Sequence, residues 1–232
     1  MVRPRYRFTL AVLAARALQP LIHASHVYKG RIPQLLDSPR EIALDSVLTT
    51  LTCRGVAFEP RMKVVGAELL PTKASSRATL VVSAHTMLSS TLPRQFHDRG
   101  VAVSTAAVDA GMKVVGTTAN VRVLLADRNL LLKVRELFAA GQHVFAMIDR
   151  PAPERRTVPV PTKRGVMQVA TPLLQLARNA NARILFYTAL VDRRWNLTAT
   201  IVEPPQHENT SIDDLLAQFG AFVDTHIHTA GR

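Results

Sequence analysis

The chain has 232 residues, 47% of them hydrophobic, which is enough for one sizeable domain with a real core. Its single cysteine, Cys53, excludes an intrachain disulfide framework and a cysteine-built zinc site. The net charge of +12 favours an anionic partner, unless it only reflects the arginine-rich usage of a G+C-rich genome; three tyrosines, one tryptophan and no recognition-helix pattern speak against nucleic acid and leave phosphorylated molecules or an anionic membrane surface.

The amino terminus, RPRYRFTLAVLAARALQPLIH, is basic with a short apolar run from Phe8 to Ala15. That run is far below the roughly 20 residues a spanning helix needs. It has the outline of a signal peptide, yet Arg16 falls inside the would-be cleavage motif. A basic amphipathic helix over residues 1–30 is the better reading, with Phe8, Leu10, Val12, Leu13, Ala17 and Leu21 as its apolar surface. Such a helix lies in a lipid interface or packs on its own domain. Residues 31–232 read as one α/β domain.

Ser38-Pro39-Arg40-Glu41 is a capping box with proline at the first helical position, and it predicts a helix over 39–53 that places Cys53 in the core. VAFEPRMKVVGAELL reads as strand, turn and strand. ATLVVSA is a short buried strand that ends at His85. Residues 87–98 allow a helix in which Pro93 forces a kink or a late start, and VAVST is the next strand. AGMKVVGTT reads as a loop or short strand. ADRNLLLKVRELFAAG has helical spacing with Gly141 as its stop, and HVFAMID is a buried strand ending in Asp149. RPAPERRTVPVPTKRG reads as a loop and VMQVATPLLQLARNANA as a helix. ARILFYTALVD and NLTATIVEP pair as antiparallel strands, and Ser211 to Asp214 caps a last helix ending near His226. Strands alternating with helices predict an α/β fold, a mixed central sheet flanked by helices.

Three segments in order resemble the bacterial lipid A biosynthesis (lauroyl/myristoyl) acyltransferase family, relatives of the glycerol-phosphate acyltransferases. They are Gly66 to His85, Val123 to Pro151 and Val158 to Pro204; FTLAVLAARALQPLI also resembles that family's amphipathic lead helix. The resemblance implies a glycerolipid-acyltransferase-like fold. It implies an enzyme that moves a fatty acyl group from an acyl carrier protein or coenzyme A thioester to a hydroxyl of a lipid or glycolipid, with no other cofactor and no metal. It also implies a peripheral protein on the cytoplasmic face of the bacterial inner membrane.

In that chemistry a hydroxyl attacks the thioester, and a neutral imidazole accepts its proton. The resemblance gives this role to His85, at a strand end that also aims free amides at the developing oxyanion. The family pattern places an acidic residue five positions on, where this chain has Ser90, which orients a ring without charge. Either another carboxylate substitutes, Asp98 or Asp149, or the protein is a slow enzyme, or it is a catalytically degenerate acyl-binding homologue. Asp149 ends a strand and is expected to line the site, unless it caps a turn or pairs with Arg150. Arg122, Arg155, Arg156 and Arg164 are candidate phosphate contacts or merely a solvated basic surface. Arg164-Gly165 is favoured among them because a helix is expected to start just after it. His226 and His228 are two apart and make no metal site.

Overall fold

A computed structural model describes residues 4–28, 38–56, 58–59, 61–107, 122–149, 157–207 and 210–227. Residues 110–118, expected to be a loop or short strand, and Arg155, Arg156 and His228 lie outside these.

Two helices come first, α1 (Pro4–Tyr28) and α2 (Pro39–Cys53). The capping box at the start of α2 is formed: the Ser38 amide donates to Glu41 Oε2 at 2.7 Å and the Glu41 amide donates to Ser38 Oγ. The stretch read as strand, turn and strand holds one described strand, β1 (Met62–Val65), followed by a one-turn 3₁₀ segment, Ala67–Leu69. Gly66 makes the break between them. Its φ of +76° is left-handed, and a Cβ there would run into the backbone of Ile201. Strand β2 (Thr79–Ser83) leads through a 3₁₀ turn, Met87–Thr91, into α3 (Leu92–Asp98), whose late start matches Pro93 in its first turn.

Next come β3 (Val103–Ala107), β4 (Arg122–Leu125), α4 (Leu130–Ala139) and β5 (His143–Met147). The segment read as a loop and then a helix forms instead an antiparallel ribbon, β6 (Thr157–Thr162) with β7 (Gly165–Ala170); helix α5 (Pro172–Asn179) starts only at Pro172. Pro159 and Pro161 masked β6, yet both face outward on a two-stranded ribbon, where a missing amide donor is tolerated. Strands β8 (Arg183–Val191) and β9 (Leu197–Val202) are antiparallel as expected, and α6 (Ile212–His226) starts from a second capping box at Ser211.

Among the described residues seven strands form one sheet in the order β1-β9-β8-β2-β5-β3-β4. The five from β8 to β4 are mutually parallel, and the β8–β9 hairpin reverses direction, so β9 and β1 run the other way. The fold is therefore α/β with a mixed central sheet flanked by helices. One face packs α4, α5 and α6 against Leu80, Val82, Val144 and Phe186. The other packs α1, α2 and the turn before α3 against Val81, Phe145, Leu185 and Tyr187. Alternating residues of the fully buried strand β2 serve the two cores, as a strand covered on both faces requires. Helix α1 turns Phe8, Ala11 and Ala15 inward and leaves Tyr6, Leu10, Leu13 and Leu21 on its outer side. Cys53, expected in the core, is exposed at the end of α2.

Candidate functional site

Strands β2 and β5 are neighbours in parallel register, Ser83 opposite Met147. Pairing continues one step further, the Ile148 amide donating to the Ser83 carbonyl at 3.1 Å. His85 and Asp149 therefore leave the sheet side by side at the carboxyl ends of adjacent central strands. Parallel sheets place functional groups at that edge, because the loops there converge over a rigid support.

The two side chains meet directly. His85 Nδ1 lies 2.7 Å from Asp149 Oδ1. The His85 amide also donates to both carboxylate oxygens, each at 2.8 Å. A carboxylate only accepts, so Nδ1 carries the proton and donates it, and Nε2 of the neutral ring keeps its lone pair. The Asp149 side chain is 7% exposed and that of His85 25% exposed: the acid is sealed in and the ring stays reachable. This arrangement can accept a proton at Nε2 while the charge that develops on the ring is balanced by Asp149.

The other expected residues fall differently. Ser90 lies in the 3₁₀ turn after His85, and the charged partner of Nδ1 is Asp149, 64 residues away in sequence. Asp98 is bound at 2.7 Å to Arg94 one turn back on α3. Arg122 opens edge strand β4, level with Val144 and two strands from β5. Sheet spacing puts it about 14 Å from the strand ends, so it does not line this site. Arg164 and Gly165 form the tip of the β6–β7 ribbon, not a helix start. The ribbon's base is beside the site, where the Ala170 amide donates to the Ile148 carbonyl at 2.7 Å. Its tip is about 17 Å further on by strand rise, tied to α6 through the Lys163 amide and Asp224 Oδ1 at 2.7 Å. The amides of His85 and Thr86, expected to be open to an oxyanion, are both committed, to Asp149 and to the Ala84 carbonyl. Among the described residues no group of histidine, cysteine and acidic side chains could hold a metal. His226 instead packs on the Phe222 ring, and burial lowers its pKa.

Two supports were not foreseen. Tyr187, fully buried beside Ser83 on β8, has its hydroxyl 2.9 Å from Thr91 Oγ1 and so ties the 3₁₀ turn to the sheet. Burial raises the pKa of that phenol and keeps it neutral. Glu41 does more than cap α2: its Oε1 accepts the Val191 amide at the end of β8. The only sequence sign of the first was a tyrosine inside the apolar run ILFYTALV.

No family model and no curated protein matches the chain. Among solved structures it is similar to the crystal structure of the 1-acyl-sn-glycerophosphate (LPA) acyltransferase PlsC from Thermotoga maritima, at 15% identity over 98% of each chain with a TM-score of 0.48.

Proposed function

We propose that the protein transfers a fatty acyl group from an acyl carrier protein or coenzyme A thioester to a hydroxyl of a lipid or glycolipid. The observation that carries this reading is the His85–Asp149 pair, a base and its acid sealed together at the central strand ends. His85 Nε2 takes the acceptor hydroxyl proton as the oxygen attacks the thioester carbonyl. When the tetrahedral adduct collapses, the carbon–sulfur bond breaks, and the imidazolium returns that proton to the departing thiol. The products are the acyl ester and the free thiol, and Asp149 balances the ring charge throughout. The degenerate, acyl-binding alternative rested on Ser90 having no charge; the Asp149 carboxylate beside His85 supports the catalytic reading over it.

Helix α1 and the net charge of +12 support the proposed setting. The exposed residues Tyr6, Leu10, Leu13 and Leu21 lie along one side of α1, opposite Phe8 and Ala15. Among the described residues no helix is long and apolar enough to cross a membrane. The proposed location is peripheral, on the anionic cytoplasmic face of a bacterial inner membrane, with α1 lying in the lipid interface. Purified protein would be given long-chain acyl-CoA and acyl carrier protein thioesters with a bacterial lipid extract, and products read by mass spectrometry. An acylated lipid formed by the native chain and lost in His85→Ala and Asp149→Asn is the expected result. A product that persists in both variants puts the base elsewhere, and acyl chains bound without turnover would restore the binding-protein reading.

A further inference from the structure

Directly behind His85 the structure holds three buried hydroxyls, those of Ser83, Thr86 and Ser89, none more than 2% exposed. Ser89 Oγ lies 2.7 Å from Ser83 Oγ and 2.6 Å from Thr86 Oγ1. Both serine hydroxyls also reach the Ala84 carbonyl, at 2.9 Å from Ser83 and 3.2 Å from Ser89. The same carbonyl accepts the Thr86 amide at 2.7 Å. That last bond closes a three-residue turn with His85 at its centre, the tightest reversal a chain makes and a weak one unaided.

We propose that Ser83, Thr86 and Ser89 are positioning residues for the base, a hydroxyl clamp on the Ala84 carbonyl that fixes the turn presenting both the His85 amide and its ring to Asp149. The clamp rests on the acyl-transfer reading only for its consequence in catalysis; the geometry of the turn stands apart from it. The Ser83 and Ser89 hydroxyls act on the backbone and not on the ring, and the Thr86 hydroxyl acts through Ser89, whose Oγ it holds at 2.6 Å. Asp149 binds the amide and Nδ1 together, so the backbone and ring of His85 have to sit in one orientation for both to be met. Three hydroxyl protons are shared among four oxygen contacts within the cluster, so at most three are donated at once and loss of one hydroxyl makes the other two rearrange. Two of the three hydroxyls converge on the one carbonyl that precedes the base, and the third fixes Ser89 in that position.

The test compares Thr86→Val, which removes the hydroxyl and keeps the shape, with Thr86→Ser, which keeps the hydroxyl, and adds Ser89→Ala. The first readout is the low-field proton resonance of His85 Nδ1–H, assigned by its loss in His85→Ala; it requires no substrate. The second is kcat and KM for acyl transfer. Thr86→Val and Ser89→Ala are expected to broaden or abolish the resonance and to lower kcat at least tenfold with KM within about twofold, while Thr86→Ser retains both. A sharp resonance and native kcat in folded Thr86→Val overturns the clamp, and so does an equal loss in Thr86→Ser and Thr86→Val. If Ser89→Ala does not fold, the Thr86 pair decides alone. A resonance lost as expected in a chain that transfers no acyl group supports the clamp and refutes the acyltransferase reading.

Discussion

Asp149 carries the negative charge of the candidate site and does so from a nearly sealed position. Replacing it by asparagine keeps the shape but removes the charge and permits the wrong ring tautomer. The expected loss in kcat is on the order of a thousandfold or more, by analogy with the same change in a serine protease triad. Ser90→Ala should cost less than about tenfold by the same reasoning, since the charge does not come from position 90. Single-turnover acyl transfer on the two variants checks both; equal losses would return the orienting role to Ser90. At this scale the sequence was half legible. His85 and Asp149 each stood out as a polar residue closing an apolar run. That they face each other depends on β2 and β5 being neighbours, and strand order is not written in local pattern. Arg122 and Arg164 failed for the same cause: charge is visible in a sequence, but distance across a sheet is not.

Helix α1 is the element on which the membrane proposal depends. Leu13 and Leu21 are 56% and 70% exposed, so glutamine at both should leave the folded core intact. Each buried leucine contributes roughly 1.5–3 kcal/mol, so the double variant should bind anionic phospholipid vesicles at least tenfold more weakly, with unchanged Tm. Cosedimentation over a salt series measures this; undiminished binding would show that α1 is not the contact. Gly66 is the opposite case, a position where the smallest change matters. Gly66→Ala adds a left-handed strain and a clash with the Ile201 backbone, and is expected to cost at least about 2 kcal/mol in urea unfolding. The elements with strong local grammar, α2 and α6 with their capping boxes and the β8–β9 hairpin, were readable residue by residue. The β6–β7 ribbon was not. Its prolines and its short alternation, exposed Val166, buried Met167, exposed Gln168, buried Val169, blend into the helical pattern beginning at Pro172.

The molecule as a whole should respond to pH through groups that its packing leaves partly desolvated, and the signs differ. Burial raises the Asp45 pKa from 3.8 to about 7, against a hydrogen bond from Thr49 that lowers it. The native state then binds the extra proton, so this group favours folding fully below about pH 4, and the advantage is lost as pH rises toward 7. Asp45→Asn should raise stability at pH 7.5 by roughly 1–2 kcal/mol, since water at the half-buried side chain screens the full shift. The same variant should gain nothing at pH 4. His143, buried at the start of β5, has its pKa lowered from 6.5 by desolvation. Its contribution is present above about pH 6.5 and fades as the unfolded chain takes up a proton below it. Urea titrations of the native chain and Asp45→Asn from pH 4 to 8 check the first sign; a gain that is uniform across this range would assign the effect to something other than Asp45 ionisation. At this scale the alternation of strands and helices was enough to foresee a mixed sheet between helical layers. The sheet order, with β2 inserted between β8 and β5, emerges only from packing.

The distance in sequence between His85 and Asp149 has a consequence for how the protein comes into being. The pair is a product of strand pairing, since neither residue has its partner until β5 docks beside β2. A growing chain that has made β2 but not yet β5 holds the histidine without its acid. The His85–Asp149 pair thus comes into existence only when β5 has been made and has docked on β2, and cannot precede that step.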